Sequence, residues 1–346
     1  MATVVPYSTS SSANARAVLS LMLVAAVCLV ADAVVGLRGI DVGTDTHAYA
    51  GFFLSMREGL VATRFEPGFV LVTRALSATG MSVTAYQACL FGLLLLTVVV
   101  STRRYFAYLG SERSYLTFLT AALMCLLLSP VLVNASLNAV RQGLASLLVF
   151  TALLSFYQHR WRDFVLYGVL ATSFHYSSLL YLLFAPALLL STRSLRIVAA
   201  LAFVAYCSGL TMILVRIGAP AVYTTVMDYS ANATFRAGVR VDFAVFSIFW
   251  YVLPYMVSRL VRAPFSERVK RSASIYLVLV LPFFLVGWGN YSNRYLLPAW
   301  LSASLIAAAI LCYSRISILR NPLLLRGGLV VASAVFTYYV THMVIL

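Results

Sequence analysis

From 17 to 36 the chain runs twenty residues with one charge, Asp32, and runs of that kind recur to its C-terminal end. About 20 apolar residues in a helix cross the hydrocarbon of a bilayer. Within hydrocarbon every backbone N–H and C=O must be paired inside the chain, and a helix does this locally. Hydrophobic residues make up 62% of the chain and charged residues 10%, with a mean hydropathy of +0.94. A soluble domain carries about 25% charged residues. The expectation is an all-α, polytopic membrane bundle forming one domain over 1–346.

Apolar helices are expected at about 17–36, 82–100, 115–133, 139–156, 197–217, 243–258, 273–289, 295–313 and 327–345. The stretch 164–190 has Ser173-Phe174-His175-Tyr176-Ser177-Ser178 at its middle and arginines at both flanks. It reads as two short helices meeting near His175, which brings the expected number to eleven. Residues 67–79 open on Pro67 and stop at Gly80, a re-entrant or interfacial helix too short to span. The polar tail 1–16 ends on Arg16, and no small-residue cleavage pattern ends the run 17–36. It reads as a retained first helix with its tail in the cytoplasm.

The formal charge of +15 raises nucleic acid as a partner, but orientation absorbs it. With the N-terminus inside, 16 of the 25 basic residues fall in cytoplasmic segments, as membrane insertion favours. The acids fall mostly outside. No nucleic-acid partner is expected. The five cysteines lie in apolar runs without a CxxC pair, which gives neither a disulfide framework nor a zinc site. No internal repeat is visible, which counts against a secondary transporter.

Against this background one outer loop, 37–81, is rich in charge and holds Asp41, Asp45, Glu58 and Glu66, four of the ten acids. A charged loop of this length usually carries function. Thr44 or Asp45 can cap a helix starting at Thr46 whose Tyr49, Phe52, Phe53 and Met56 share a face in the interface plane. Glu66 precedes proline and is held extended; its carboxylate is either catalytic or paired with Arg64 or Arg74. Asn138, Arg141 and Gln142, three and four apart, are read on one face at the start of the helix 139–156. An arginine fork there suits a phosphate group, the plainer alternative being an arginine reaching for the interface. His175 sits at the break of the hairpin. Asn290, Asn293 and Arg294 occupy the outer turn WGNYSNRY, whose tyrosines and Trp288 fit an aromatic belt. Carboxylates with arginines on one side of a membrane suit transfer from a lipid diphosphate to a hydroxyl. The arginines neutralise the leaving diphosphate and a carboxylate takes the proton.

These residues also form a pattern. Arg38 followed by Val42-Gly43-Thr44-Asp45-Thr46 and Tyr49, then Glu66-Pro67-Gly68-Phe69, resembles the EpsG family. So do Asn138-x-x-Arg141-Gln142-x-x-Ala145, His175-x-Ser177-Ser178-Leu179 and Asn293-Arg294-Tyr295, in the family's order over roughly 38–295. The family stands with the Wzy-type polymerases of bacterial exopolysaccharide and O-antigen. The resemblance implies a fold related to the GT-C glycosyltransferases in the bacterial inner membrane, with the site facing the periplasm. It implies a substrate, oligosaccharide repeat units on undecaprenyl diphosphate, and a chain-length regulator protein as a candidate partner. It implies no cofactor and no metal. Asp45, Glu66 and Asp41, in that order, are the candidate bases. Arg38, Asn138, Arg141, Gln142, His175, Asn293 and Arg294 are the candidate diphosphate- and sugar-binding residues. The outer loops 37–81 and 218–242 are where sugar specificity would differ. The alternatives are a flippase or exporter of lipid-linked sugars, a membrane O-acyltransferase using His175, and an O-antigen ligase.

Overall fold

A computed structural model describes residues 8–59, 63–111, 114–228, 238–289 and 291–344. Among the described residues the structure is helical, with no strand and a lone antiparallel bridge between Val261 and Ser314. A long helix, α1 (Ser8–Gly36), leads into two short ones, α2 (Thr46–Arg57) and α3 (Pro67–Ser77), and then α4 (Val83–Leu109). Next come α5 (Tyr115–Leu127), α6 (Pro130–Leu137), α7 (Val140–Tyr157), α8 (Trp161–Phe174) and α9 (Ser178–Leu183). After a 3-10 segment at Ala185–Leu189 follow α10 (Thr192–Cys207), α11 (Leu210–Gly218), α12 (Pro220–Asp228) and α13 (Val241–Met256). The chain continues through α14 (Phe265–Val286), a 3-10 segment (Ser292–Leu296), α15 (Leu297–Cys312) and α16 (Pro322–Thr341).

Among the described residues six helices are long and apolar enough to cross a membrane, and up to eight spans result if each of two sharply bent pairs counts as one. The expected eleven is therefore not confirmed. Two of the expected spans are broken. Pro130 disfavours helical geometry at Ser129, which sits at φ −95°, ψ 123°, and α5 and α6 meet at 80°. The chain turns again at Ser208-Gly209, where α10 and α11 meet at 87°. Helix α13, at 16 residues, is short for a span. The tail 1–16 is already helical from Ser8, and residues 220–228 of the 218–242 loop form helix α12; residues 1–7 and 229–237 lie outside the described residues.

The spanning helices differ in how deeply they are packed inside the bundle. Of the spanning stretch of α7, 89% is buried, and of α14 83%, whereas α1 and α16 bury 28% and 33%. Apolar side chains such as Leu19, Met22, Leu29, Val330 and Val331 point outward from the two peripheral helices. Outward apolar side chains suit a helix whose neighbour is lipid, where nothing apolar is excluded from solvent by packing. Helix α7 packs on α4, α6, α8 and α15. Hydroxyls join these central helices: Thr151 Oγ1 donates to Ser101 Oγ at 2.8 Å, and Ser101 Oγ donates to the Leu147 carbonyl at 3.0 Å.

Helices α2 and α3 form as their sequence leads one to expect. Helix α2 starts at Thr46 and buries Tyr49, Phe52 and Phe53 on one face. Glu66 is extended at φ −68°, ψ 148° before Pro67, and α3 ends at Ser77. Aromatic rings hold the two together: Phe52 and Phe65 are 4.7 Å apart edge to face, and Tyr49 and Phe69 are 5.4 Å apart. Phe53 stacks on Tyr86 of α4 at 4.3 Å, so the pair is anchored to the bundle. Gly68 lets α3 sit directly on α8, since a Cβ there would come within 2.8 Å of the Ser173 carbonyl oxygen.

Candidate functional site

The junction of α6 and α7 organises the site. Asn138 ends α6 and does not lie on α7, which begins at Val140, so the expected single helical face is split across a bend. The split lets three neighbouring side chains reach three different segments. Asn138 Oδ1 accepts the Thr44 backbone N–H at 2.7 Å. Arg141 Nη1 donates to Glu66 Oε2. Gln142 Nε2 donates to the Arg294 backbone carbonyl at 2.5 Å. The charged loop, the start of α3 and the 3-10 segment at Ser292–Leu296 are thereby gathered on one end of α7.

Gly43 is required at the first of these contacts. Its φ is +98°, and a Cβ would lie 2.9 Å from Asn138 Oδ1. Only glycine adopts this conformation freely and leaves room for the asparagine. Asp45 then precedes α2, yet its side chain makes no capping hydrogen bond. Its Oδ2 accepts from Arg294 Nη2 at 3.1 Å. Pairing with Arg294, rather than helix capping, accounts for the position of the Asp45 carboxylate.

Glu66 is the most enclosed acid of the site, its side chain 3% exposed. It caps no helix N–H and pairs with neither Arg64 nor Arg74. Oε2 takes Arg141, and Oε1 accepts from His175 Nδ1 at 2.9 Å and from the Tyr176 backbone N–H at 3.2 Å. Burial by itself raises the carboxyl, but the His175 hydrogen bond and the Arg141 charge outweigh it and hold Glu66 well below the usual carboxylate range, at about 2. The expected break near His175 is present. Helix α8 ends at Phe174, and His175 is extended at φ −157°, ψ 117°.

Arg64, Arg141 and Arg294 face a cavity of about 340 Å³, together with His175, Gln142 and Ser177. Tyr291 and Tyr295 complete one wall, and the Arg294 guanidinium lies 4.5 Å from the Tyr291 ring. The Arg141 guanidinium lies 4.6 Å from the Phe65 ring. Arg141 and Arg294 are matched by Glu66 and Asp45, whereas Arg64 has no carboxylate partner among the described residues. The cavity is thus cationic. It suits an anionic group, which guanidinium forks bind in a fixed orientation.

The structure does not bring every expected residue here. Asp41 pairs with His47 at 2.8 Å on the exposed surface and does not line the cavity. Arg38 donates to the Val35 carbonyl at 2.5 Å at the end of α1. Asn293 stands beside Arg294 but outside the lining, and Asn290 lies outside the described residues. Trp288 belongs to no aromatic belt. It is fully buried, 5.3 Å from the Tyr223 ring. Sequence reasoning used Arg64 only as a partner for Glu66, gave Ser177 no site role, and read Tyr291 and Tyr295 as belt residues. Their one sequence signal is that they sit within or beside the motif residues.

A family model described as EpsG family matches residues 21–345, nearly the whole chain. The chain belongs to the EpsG family. EpsG is a Wzy-type polymerase family, and membership supports a membrane polysaccharide polymerase role in general. Neither a curated protein nor a solved structure matches the chain. Of the residues that carry the resemblance, Arg141, Gln142, His175, Ser177, Arg294 and Tyr295 line the cavity, and Glu66 and Asp45 pair with two of those arginines.

Proposed function

We propose that this EpsG protein joins oligosaccharide repeat units carried on undecaprenyl diphosphate, at the periplasmic face of the bacterial inner membrane. An acceptor hydroxyl attacks the anomeric carbon of the donor sugar. The bond from that carbon to the diphosphate oxygen breaks, and its electron pair leaves with the diphosphate. Arg64, Arg141 and Arg294 neutralise the leaving charge, and Glu66 and Asp45 keep two of those guanidiniums in place.

The observation that carries this reading is the cavity lined by three arginines, two of them paired with carboxylates outside the lining, so that Arg64 is left to bind an anion. A second feature agrees with a lipid-linked donor. An open apolar groove of about 430 Å³, lined by Pro67, Phe164, Val169, Tyr176 and Leu179, adjoins the cavity. Pro67 and Tyr176 belong to the groove, while Glu66, His175 and Ser177 beside them belong to the site. A substrate with a charged head and an isoprenoid tail fits that sequence of surfaces.

Deleting the gene and running the surface polysaccharide on a gel tests the reaction. Single repeat units should remain where a ladder stood. A complete absence of attached sugar would point to ligation, and an unchanged ladder would overturn the assignment. Arg64→Ala should raise the KM for lipid-linked donor about 10- to 100-fold, since a hydrogen bond to a charged group contributes about 1.5–3 kcal/mol. Membrane fractions supplied with lipid-linked units give that number. An unaltered KM would remove Arg64 from the diphosphate site.

A further inference from the structure

We propose that His175 is the general base that takes the acceptor proton, with Glu66 as its positioning residue. The inference rests on the transfer reaction proposed above and replaces the expected carboxylate base.

The argument starts at Glu66. Its two oxygens already accept from Arg141, from His175 Nδ1 and from the Tyr176 backbone N–H. A carboxylate so occupied accepts hydrogen bonds and gives none. The hydrogen between it and the imidazole therefore sits on Nδ1. In a neutral ring with Nδ1–H, the lone pair is on Nε2. The ring belongs to a residue that lines the cavity beside Arg141 and Arg294, and no described residue pairs with Nε2.

The backbone of His175 is fixed as well. The His175 N–H donates to the Ala171 carbonyl at 3.0 Å, and the His175 carbonyl accepts from Ser178 N–H at 3.0 Å. A residue bound on both sides at the end of α8 keeps its imidazole in one place. Carboxylate, imidazole and an open nitrogen are the arrangement by which a buried acid selects a tautomer and stabilises the imidazolium that forms.

The rival acids are worse placed. Asp45 has Oδ2 on Arg294 and is not among the cavity-lining residues. Asp41 is on the exposed surface with His47. In the step itself, the acceptor O–H proton passes to Nε2 as the oxygen bonds to the anomeric carbon. The leaving diphosphate takes the electron pair of the broken bond. The imidazolium, held by Glu66, then releases its proton to water.

The test separates binding from turnover. His175→Asn keeps an amide N–H near the Nδ1 position for Glu66 and removes the base, and His175→Gln is measured alongside so that either variant can decide if the other does not accumulate. In detergent-purified full-length protein, both should weaken binding of undecaprenyl diphosphate far less than they slow turnover, since the three arginines of the cavity remain. Polymerisation of lipid-linked units extracted from the deletion strain should fall about 100- to 10,000-fold, the range of a lost general base. Glu66→Gln should slow the reaction too, and the double variant should be slower than His175→Asn by much less than the Glu66→Gln loss measured alone, because the pair acts as a unit and only the hold on Arg141 is lost in addition. A merely structural Glu66 would make the two losses multiply. Near-normal polymer from His175→Asn, or loss confined to Asp45→Asn, overturns the assignment. Failure of the unsubstituted protein to bind undecaprenyl diphosphate or to polymerise would instead bring down the proposed reaction, and the base with it.

Discussion

Arg141→Lys should cut polymerisation about 100- to 1,000-fold, the usual effect of removing one donor from a site that stabilises developing charge. The protein should still accumulate in the membrane. The reason lies in what lysine keeps and loses. It keeps the positive charge, so Glu66, 3% exposed, is not left without a cation. It loses the planar fork and the stacking on Phe65, whose ring centre is 4.6 Å from the guanidinium. Arg141→Leu is the contrasting substitution. It strands a buried carboxylate, which costs about 3–5 kcal/mol, and should lower the amount of folded protein as well. Gel ladders normalised to the protein in membranes distinguish the two. Normal ladders from the lysine variant would show that no fork is needed at this position.

Gly68→Ala should lower polymerisation about 100-fold while the helices stay assembled. A Cβ at 68 would lie 2.5 Å from Ser173 Oγ and 2.8 Å from the Ser173 carbonyl oxygen. The hydroxyl can rotate away, but the carbonyl belongs to the backbone of α8 and cannot. Helix α3 must then move off α8, at an overpacking cost of about 1–3 kcal/mol. Glu66 is two residues before Gly68, and its partners His175 and Tyr176 follow directly from α8. Separating the helices pulls the carboxylate from the imidazole, and a displacement near 1 Å can reduce turnover about 100-fold. Ser173→Gly in the same chain removes the hydroxyl but not the carbonyl, so it should restore little. Full activity of Gly68→Ala would mean that α3 and α8 are not locked together during turnover.

Several features of the site could be read from short stretches of chain. Tyr49, Phe52 and Phe53 share a helix face because their spacing follows the helical period, and α2 buries them on one side. Pro67 forces Glu66 to be extended. The polar run around His175 ends α8 where it was expected to. Other expectations failed for one shared reason. The run 115–133 is apolar throughout, so hydropathy reads it as one span, although Pro130 bends the chain there by 80°. Trp288 sits among tyrosines in a turn and reads as an interfacial ring, yet Tyr223 of α12 covers it.

From the sequence alone followed an all-helical membrane chain, its EpsG motifs and the residue types at its site. Apolar length, proline and helical period act over a few turns, and each is visible in a short window. Only the tertiary structure decided which acid meets which base. Glu66 and Arg141 are 75 residues apart, and Asp45 and Arg294 are 249 apart. Charge attracts opposite charge without regard to order along the chain, so the sequence offered its neighbours Arg64 and Arg74 as partners for Glu66, and packing brought Arg141 instead. The bend between α6 and α7 made that choice by directing Asn138, Arg141 and Gln142 to three separate segments. It left Glu66 fully engaged, Arg64 facing the cavity and His175 with one nitrogen committed to the carboxylate, a division of roles that exists only once the helices are packed.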